Sequence, residues 1–530
     1  MHTDSIAFKK TGYFSSLICD YLDEKPELKK FYKHFPNVEN FKLQIEAKSN
    51  FNQQSREILT AVLKKQYQKI EASELSNLHI DLLKEPNTFT ITTGHQLNLF
   101  TGPLYFLYKI ISTINLTKQL KQEYSNYNFV PVYWMATEDH DFEEINYFNF
   151  KGKKVHWNKE TGGAVGELST DGLEAVFNLF SQDLGTGKHA DWLRELFKKA
   201  YLNHDNLADA TRYLANELFK DHGLVIIDAH DSDLKRQFIP FIEDELINGT
   251  SFKTVAETNK QLVSLGYNIQ VNPREINLFY LTDHLRERIV FEDDVYKVVN
   301  TNLTWNRSQL LKHLNEAPGR FSPNVIMRPL YQEVILPNLC YIGGGGELAY
   351  WFQLKNYFKT VNVPYPMLLL RNSVLVKTQN HHKKLENLNI SKEDIFLKRN
   401  TFINKKVREI SNIDIDFSSQ KNALKQQFEN LYVLAEQTDK SFLGAVKAQE
   451  VKQLKGLETL EKRLLKAQKN KLSDQVLRMT DLQNELFPNG NLQERNVNFS
   501  QLYLEYGDAL ISKLIEELAP LKNKFLIVTL

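Results

Sequence analysis

From Thr88 to Glu123 the chain reads as a β-branched run, TFTITTGH, then a short loop, then an apolar-periodic stretch after Pro103, LYFLYKIISTINLTKQLKQE. Branched residues suit a pleated surface, and apolar recurrence every three to four positions suits a helix face, so the segment predicts strand, loop and long helix. A second β-rich run, FVPVYWMAT, covers Phe129 to Thr137 at the spacing of a βαβ unit. GLVIIDAH at Gly223 to His230 and YPMLLLRNS at Tyr365 to Ser373 add buried-strand candidates beside helical text. The expected fold class is α/β, a doubly wound and mostly parallel sheet with both faces covered.

Such a sheet does not account for all 530 residues. A chain of this length exceeds one hydrophobic core, which implies an interrupted domain with an appendage. KGKKVHWNKETGGAVGEL, DWLRELFKKAYL and TDHLRERIVFEDDVYKV differ in character from the strands around them and read as insertions, at about 150–220 and 280–320, in a core spanning 1–377. From about 378 to 490 Lys, Glu, Gln and Leu dominate. Leu424, Phe428, Leu431, Ala435, Thr438 and Phe442 alternate by four and three, which is a heptad seam. A second seam through Leu457, Leu460, Leu464 and Ala467 slips by one residue and resumes at Leu472, Val476, Met479 and Leu486, before Pro488-Asn489-Gly490. A coiled-coil hairpin is the economical interpretation, and two ordinary amphipathic helices are the plainer one. Residues 491–530 would return to the core through a last helix and FLIVTL.

Lys and Arg number 66 against 65 for Asp and Glu, so no global field draws the chain to nucleic acid or to an anionic membrane. Small polar substrates fit better. Only Cys19 and Cys340 are present, which excludes a disulfide framework and a Cys-rich zinc site. The opening stretch mixes acids and lysines into its apolar text, without the run that a signal peptide or membrane span requires, so a cytoplasmic protein is expected.

Three segments could carry chemistry. In TTGHQLNLFTGP, Gly94 permits a tight bend, and Thr101-Gly102-Pro103 would start a helix whose free N–H groups attract anions beside His95 and Gln96. Simple helix capping explains the same residues. In TEDHDFEEI, Glu138, Asp139, His140, Asp141, Glu143 and Glu144 crowd one strand end. Mutual repulsion there would raise carboxylate pKa values, giving a general base, or a Mg²⁺ site at Asp139 and Asp141; a solvated acidic loop is the plainer alternative. In FSPNVIMRPLYQEVILPNLCYIGGGGELAYW, Arg328 lies between apolar runs, four glycines permit close backbone approach and Glu347 opens a helix, which could cradle a nucleotide. The glycines lack the dinucleotide spacing, and GTGKHA at Gly185 lacks the Ser/Thr of a Walker loop, so a turn between strand and helix also accounts for the run.

Together, T-G-H-Q with T-G-P-L-Y, T-E-D-H-D-F-x-E-I, S-P-N-V-x-x-R-P and G-E-L-A-Y-W resemble the bacillithiol biosynthesis cysteine-adding enzymes, in the same order. EKRLLKAQKNK and PNGNLQER resemble that family's coiled-coil and post-coil segments. Four consecutive glycines stand where a mixed Gly/Pro turn is expected. The resemblance implies a Rossmann-like core with connecting insertions, homodimerisation through the coiled coil, and a cysteine ligase that adds cysteine to glucosaminyl-malate. Because joining a carboxylate to an amine is uphill in water, ATP with Mg²⁺ is the expected activator. On that reading His95 and Gln96 stabilise developing charge, and Arg328 adds a fixed cation. One of Glu138, Asp139 and Asp141 takes a proton from the attacking ammonium while His140 orients or relays. Tyr105, Asn324, Gly344, Gly345, Glu347 and Tyr350 contact substrate or nucleotide. A metal-dependent hydrolase built on His95 and the Asp139-His140-Asp141 cluster is the alternative enzyme, and a coiled-coil scaffold is the non-enzymatic alternative.

Overall fold

A computed structural model describes residues 2–530. Five parallel strands form the central sheet: β1 (Thr88–His95), β2 (Asn128–Met135), β3 (Val225–Asp228), β4 (Asn338–Gly343) and β5 (Met367–Leu370). Their spatial order is β3-β2-β1-β4-β5. The order reverses between β1 and β4, which leaves a crevice at the carboxyl ends of those two strands, the ligand-binding position in doubly wound folds. All eight residues of β1 are buried, as a strand covered on both faces requires.

Helix α1 (Tyr105–Glu123) crosses from β1 to β2 and is buried around most of its circumference, Lys109, Ser112, Thr113 and Thr117 included, because other elements cover it on several sides. Leu116 and Leu120 of α1 pack with Phe41 and Ile45 against Phe89, Ile91, Phe129 and Ile342 of the sheet. Helix α1 starts at Tyr105, two residues later than Pro103. Helix α2 (Arg328–Ile335) precedes β4, and α3 (Gly345–Gln353) follows it directly.

Between β2 and β3 lie a hairpin (Tyr147–Phe150 with Lys153–His156) and the helices Leu173–Leu184, Lys188–Tyr201 and Leu207–Phe219. A five-stranded antiparallel sheet between β3 and β4 includes Leu278–Thr282, Leu285–Glu292 and Phe321–Pro323. The strand Phe525–Thr529 pairs antiparallel with His2–Ile6. By internal contacts the chain divides into Met1–Val376 with Leu492–Leu530, and Lys377–Asn491.

The second unit contains α4 (Ser418–Glu436), α5 (Lys440–Lys471) and α6 (Ser473–Leu486). Helices α4 and α5 form an antiparallel hairpin: Lys421 pairs with Glu461, and nearer the turn Tyr432 donates to Glu450. Its apolar seam consists of Phe428, Ala435 and Val446, with Leu424 and Tyr432 alongside. This corrects the expected first seam. Thr438 lies outside both helices, and Leu431 and Phe442 are exposed, because Asp439 caps a new helix through the amides of Ser441 and Phe442. The slip at Leu472 coincides with the break between α5 and α6.

Candidate functional site

A cleft of about 1120 Å³ opens at the carboxyl ends of the central strands. His95 and Gln96 enter it from the end of β1, and Glu138, Asp139 and His140 from the end of β2. Tyr105 enters from α1, Asn324 and Arg328 from the start of α2, and Gly344, Gly345, Glu347 and Tyr350 from α3 and the residue before it. Thr101, Gly102 and Asp141 are absent from its wall.

At the switch point, Lys109 Nζ donates to the Gly94 carbonyl at 2.6 Å and pairs with Glu347 Oε1 at 2.6 Å. Glu347 Oε2 accepts from Tyr341 Oη at 2.6 Å, and Oε1 accepts from the Gly344 amide at 3.0 Å. The carboxylate of Glu347 therefore sits on the start of its own helix. Burial opposes its ionisation, but Lys109 and these donors outweigh that and lower its pKa. Gly94 leaves little room for a side chain, since a Cβ would lie 3.2 Å from Tyr341 Oη.

Beside this pair lies Arg328, half-buried, with Nη1 donating to Gln332 Oε1 at 3.1 Å and its guanidinium 5.6 to 5.7 Å from the Tyr341 and Trp134 ring centres. Burial disfavours its charge, and the neighbouring Tyr350 and Tyr341 favour it, for a net upward shift. Among the described residues Arg328 has no carboxylate in ion-pair contact, unlike Arg371, which meets Glu494 at 2.8 Å. A cation partly withdrawn from water without an anion is stabilised when a ligand supplies one.

The acidic run resolves differently from expectation. Glu138 turns inward to Lys235 at 2.6 Å, His230 Nδ1 at 3.0 Å and Ser322 Oγ at 2.7 Å. Burial would raise its pKa, but the two cationic neighbours hold it at about 2. His230 is desolvated too, yet its bonds to Glu138 and Glu167 raise it to about 10. The expected carboxylate repulsion does not reach Glu138, because cations rather than acids surround it, so it is a fixed anion and not a proton acceptor. Asp139 Oδ2 accepts from Gln96 Nε2 at 2.9 Å, and the same nitrogen donates to Glu144 Oε2 at 2.7 Å. Asp141 is exposed away from the cleft. Of the two expected Mg²⁺ ligands, Asp139 therefore lines the cleft and Asp141 does not. Among the described residues no three His, Cys, Asp or Glu groups are placed to hold a metal ion.

His140 Nδ1 lies 2.7 Å from Arg286 Nη1, which donates to it. Burial, then Arg286, lowers the His140 pKa. His95 is buried against Tyr105 and Phe106, with ring centres 5.4 and 5.1 Å away, and its Nε2 has no hydrogen-bond partner. Burial, with Lys109 nearby, holds its pKa well below 6.5, so the ring is neutral at physiological pH.

The loop after His95 corrects the expected anion site. Phe100, Thr101 and Gly102 have φ of 48°, 69° and 63°, three left-handed residues in succession. Leu104 N–H donates to the Val497 carbonyl, while the Phe100 and Gly102 carbonyls accept from Asn498 Nδ2 at 2.7 and 2.6 Å. Thr101 and Gly102 therefore lead into α1 through a pinned turn rather than opening it with free amides. Left-handed geometry costs a non-glycine residue about 1–3 kcal/mol. Phe100 offsets this with four aromatic neighbours, Phe148, Phe180, Phe197 and Phe499, each contact contributing about 0.5–1.5 kcal/mol.

Sequence reasoning missed Lys109, His230, Lys235, Arg286 and Arg371. A signal existed for three of them. Lys109 interrupts an apolar helix, and His230 and Arg371 close the strand texts GLVIIDAH and YPMLLLRNS, at the ends where doubly wound folds place ligand-binding groups. Lys235 and Arg286 carry no comparable local signal.

The architecture defines a doubly wound α/β enzyme with a charged cleft at its switch point and a helical-hairpin unit. Residues 1–372 match the model described as the bacillithiol biosynthesis BshC N-terminal Rossmann-like domain, and 374–530 match the BshC C-terminal coiled-coil domain. The chain belongs to the bacillithiol biosynthesis BshC family. Relatives include proteins of Flavobacterium johnsoniae, 61% identical over 100% of both chains, and Christiangramia forsetii, 59% identical over 100% of this chain and 99% of the other. One from Cytophaga hutchinsonii is 36% identical over 98% and 97%. Each is named “Putative cysteine ligase BshC”.

Proposed function

We propose that the protein is a cysteine ligase that joins the carboxyl group of cysteine to the amino group of glucosaminyl-malate, with ATP activating the carboxylate. The observation that carries this reading is Arg328: a half-buried guanidinium on the cleft wall without a carboxylate partner suits an anionic substrate group, here a malyl carboxylate or a nucleotide phosphate. Exposed Arg274 and Arg495 line the same cleft and add to its preference for anions.

The chemistry runs in two steps. A cysteine carboxylate oxygen attacks the α-phosphorus of ATP and displaces pyrophosphate to give an adenylate, or attacks the γ-phosphorus and displaces ADP to give an acyl phosphate. The amine of glucosaminyl-malate then attacks the carbonyl carbon, the C–N bond forms, and AMP or phosphate leaves with that oxygen. The attacking ammonium must first lose a proton. Of the acids on the cleft wall, Glu138 and Glu347 are held ionised by cations, which leaves Asp139 and the more exposed Glu144, both accepting from Gln96; the base assigned here is Asp139. His95 presents Nε2 as a neutral imidazole to orient the amine, and His140 donates from its free nitrogen while Arg286 holds the other. Tyr105, Asn324, Tyr350, Gly344 and Gly345 shape the pocket around the substrates. Mg²⁺ would enter on nucleotide phosphates rather than on a preformed cluster of this chain. A cytoplasmic homodimer is part of the same proposal. Among the described residues no helix is long and apolar enough to cross a membrane, and the long helices of the second unit expose Val433, Leu434, Leu443 and Leu460.

Cysteine labelled with ¹⁸O in its carboxylate tests the activation. Label found in AMP or phosphate supports it, and amide product formed without label transfer to either refutes it.

A further inference from the structure

The segment 493–498 serves the cleft along most of its length. Gln493 bonds both the amide and the carbonyl of Val376. Glu494 holds Arg371 and the Val374 amide, Arg495 faces the cleft, and Val497 and Asn498 pin the turn before α1. Asn498 is fully buried and uses every polar atom of its side chain. Its Nδ2 ties the Phe100 and Gly102 carbonyls together, and its Oδ1 accepts from the Ser500 amide and hydroxyl.

That turn bounds the His95 slot: Tyr105 and Phe106, which follow it, form two of its walls. Left-handed Phe100 and Thr101 would relax toward ordinary backbone angles if the two carbonyls were released, and Thr101, Tyr105 and Phe106 would move with them. We infer that Asn498 is a positioning residue for His95: by clamping the strained turn from the C-terminal segment it sets the ring orientation at the cleft wall, where Nε2 has no protein partner. The inference rests on the proposed role of His95, and it places a functional residue of the site some 400 positions downstream, |i−j| being 398 for the Asn498–Phe100 bond.

The test compares Asn498→Ala, Asn498→Asp and His95→Ala in the full chain by kcat, KM and ring ¹⁵N NMR. Asn498→Asp keeps the acceptor for Ser500 and removes both amide donors. Both Asn498 variants are expected to lower kcat at least tenfold, with KM for glucosaminyl-malate changed less than twofold and the His95 ring resonances shifted. In the wild-type protein the same resonances should show a single neutral tautomer from pH 5 to 9, which holds the inference to account if neither variant folds. Full activity in a folded Asn498 variant, where His95→Ala is inactive, overturns it, as does a wild-type His95 that titrates near 6.5 or exchanges between tautomers. An active His95→Ala would instead refute the role of His95 itself.

Discussion

Arg328 is the residue at which structure and chemistry meet most directly, because its half-buried charge on the cleft wall meets neutral partners but no anion. Replacing it with Met should remove a charge-assisted contact to substrate worth about 1.5–3 kcal/mol. The KM for the substrate that Arg328 holds should therefore rise at least tenfold in steady-state kinetics, while the melting temperature stays level or increases. An unchanged KM for both glucosaminyl-malate and ATP would remove Arg328 from the site. The Glu138 cluster behaves oppositely, since it is satisfied internally. Glu138→Gln leaves buried Lys235 unpaired and should cost about 3–5 kcal/mol in urea unfolding. Glu138 is depressed from 4.5 to about 2, so its contribution is present above pH 4.5 and is lost as pH falls through about 2. His230 is raised from 6.5 to about 10, so its contribution is full below pH 6.5 and is lost as pH rises through about 10. The wild-type advantage over Glu138→Gln should thus be greatest between about pH 4.5 and 6.5, and parallel pH curves for the two proteins would contradict this account.

At the level of elements, legibility followed periodicity. TFTITTGH, FVPVYWMAT and the apolar runs at β3 and β5 announced themselves, since strands buried on both faces must be apolar throughout. The antiparallel sheet around LRERIVFE did not, because that strand is half exposed and carries charges that blur the alternation. The turn at Phe100 to Gly102 was illegible locally, because its backbone is imposed by Asn498, far away in sequence. His95, Gln96, Asp139 and Arg328 were found as motif residues, yet the partners that set their chemistry, Lys109 and Arg286 above all, come from elsewhere in the chain. In the hairpin, heptad counting ran through Thr438 because an apolar repeat carries no mark of where a helix is recapped. The exposed leucines it leaves are the surface proposed for a second copy. Leu434→Glu with Leu460→Glu, at positions 55% and 53% exposed, should halve the solution mass measured by light scattering without loss of helix content. An unchanged mass would place any dimer interface elsewhere.

Across the whole molecule, a parallel sheet brings together at one edge residues that are far apart in sequence: His95 and Asp139 from neighbouring strand ends, Arg328 and Glu347 from the helices flanking β4, and Arg495 from the returning C-terminal segment. The strand-order reversal makes the crevice, the buried ion pairs hold its walls, and the unpaired cation gives it a demand for anions. The most direct measurement is mass-spectrometric detection of product when the purified full chain meets cysteine, glucosaminyl-malate and MgATP, with each component omitted in turn and His95→Ala run in parallel. The account predicts cysteinyl-glucosaminyl-malate only in the complete mixture, and little from His95→Ala. Product formed without ATP, or no product from folded wild-type protein in the complete mixture, would contradict it.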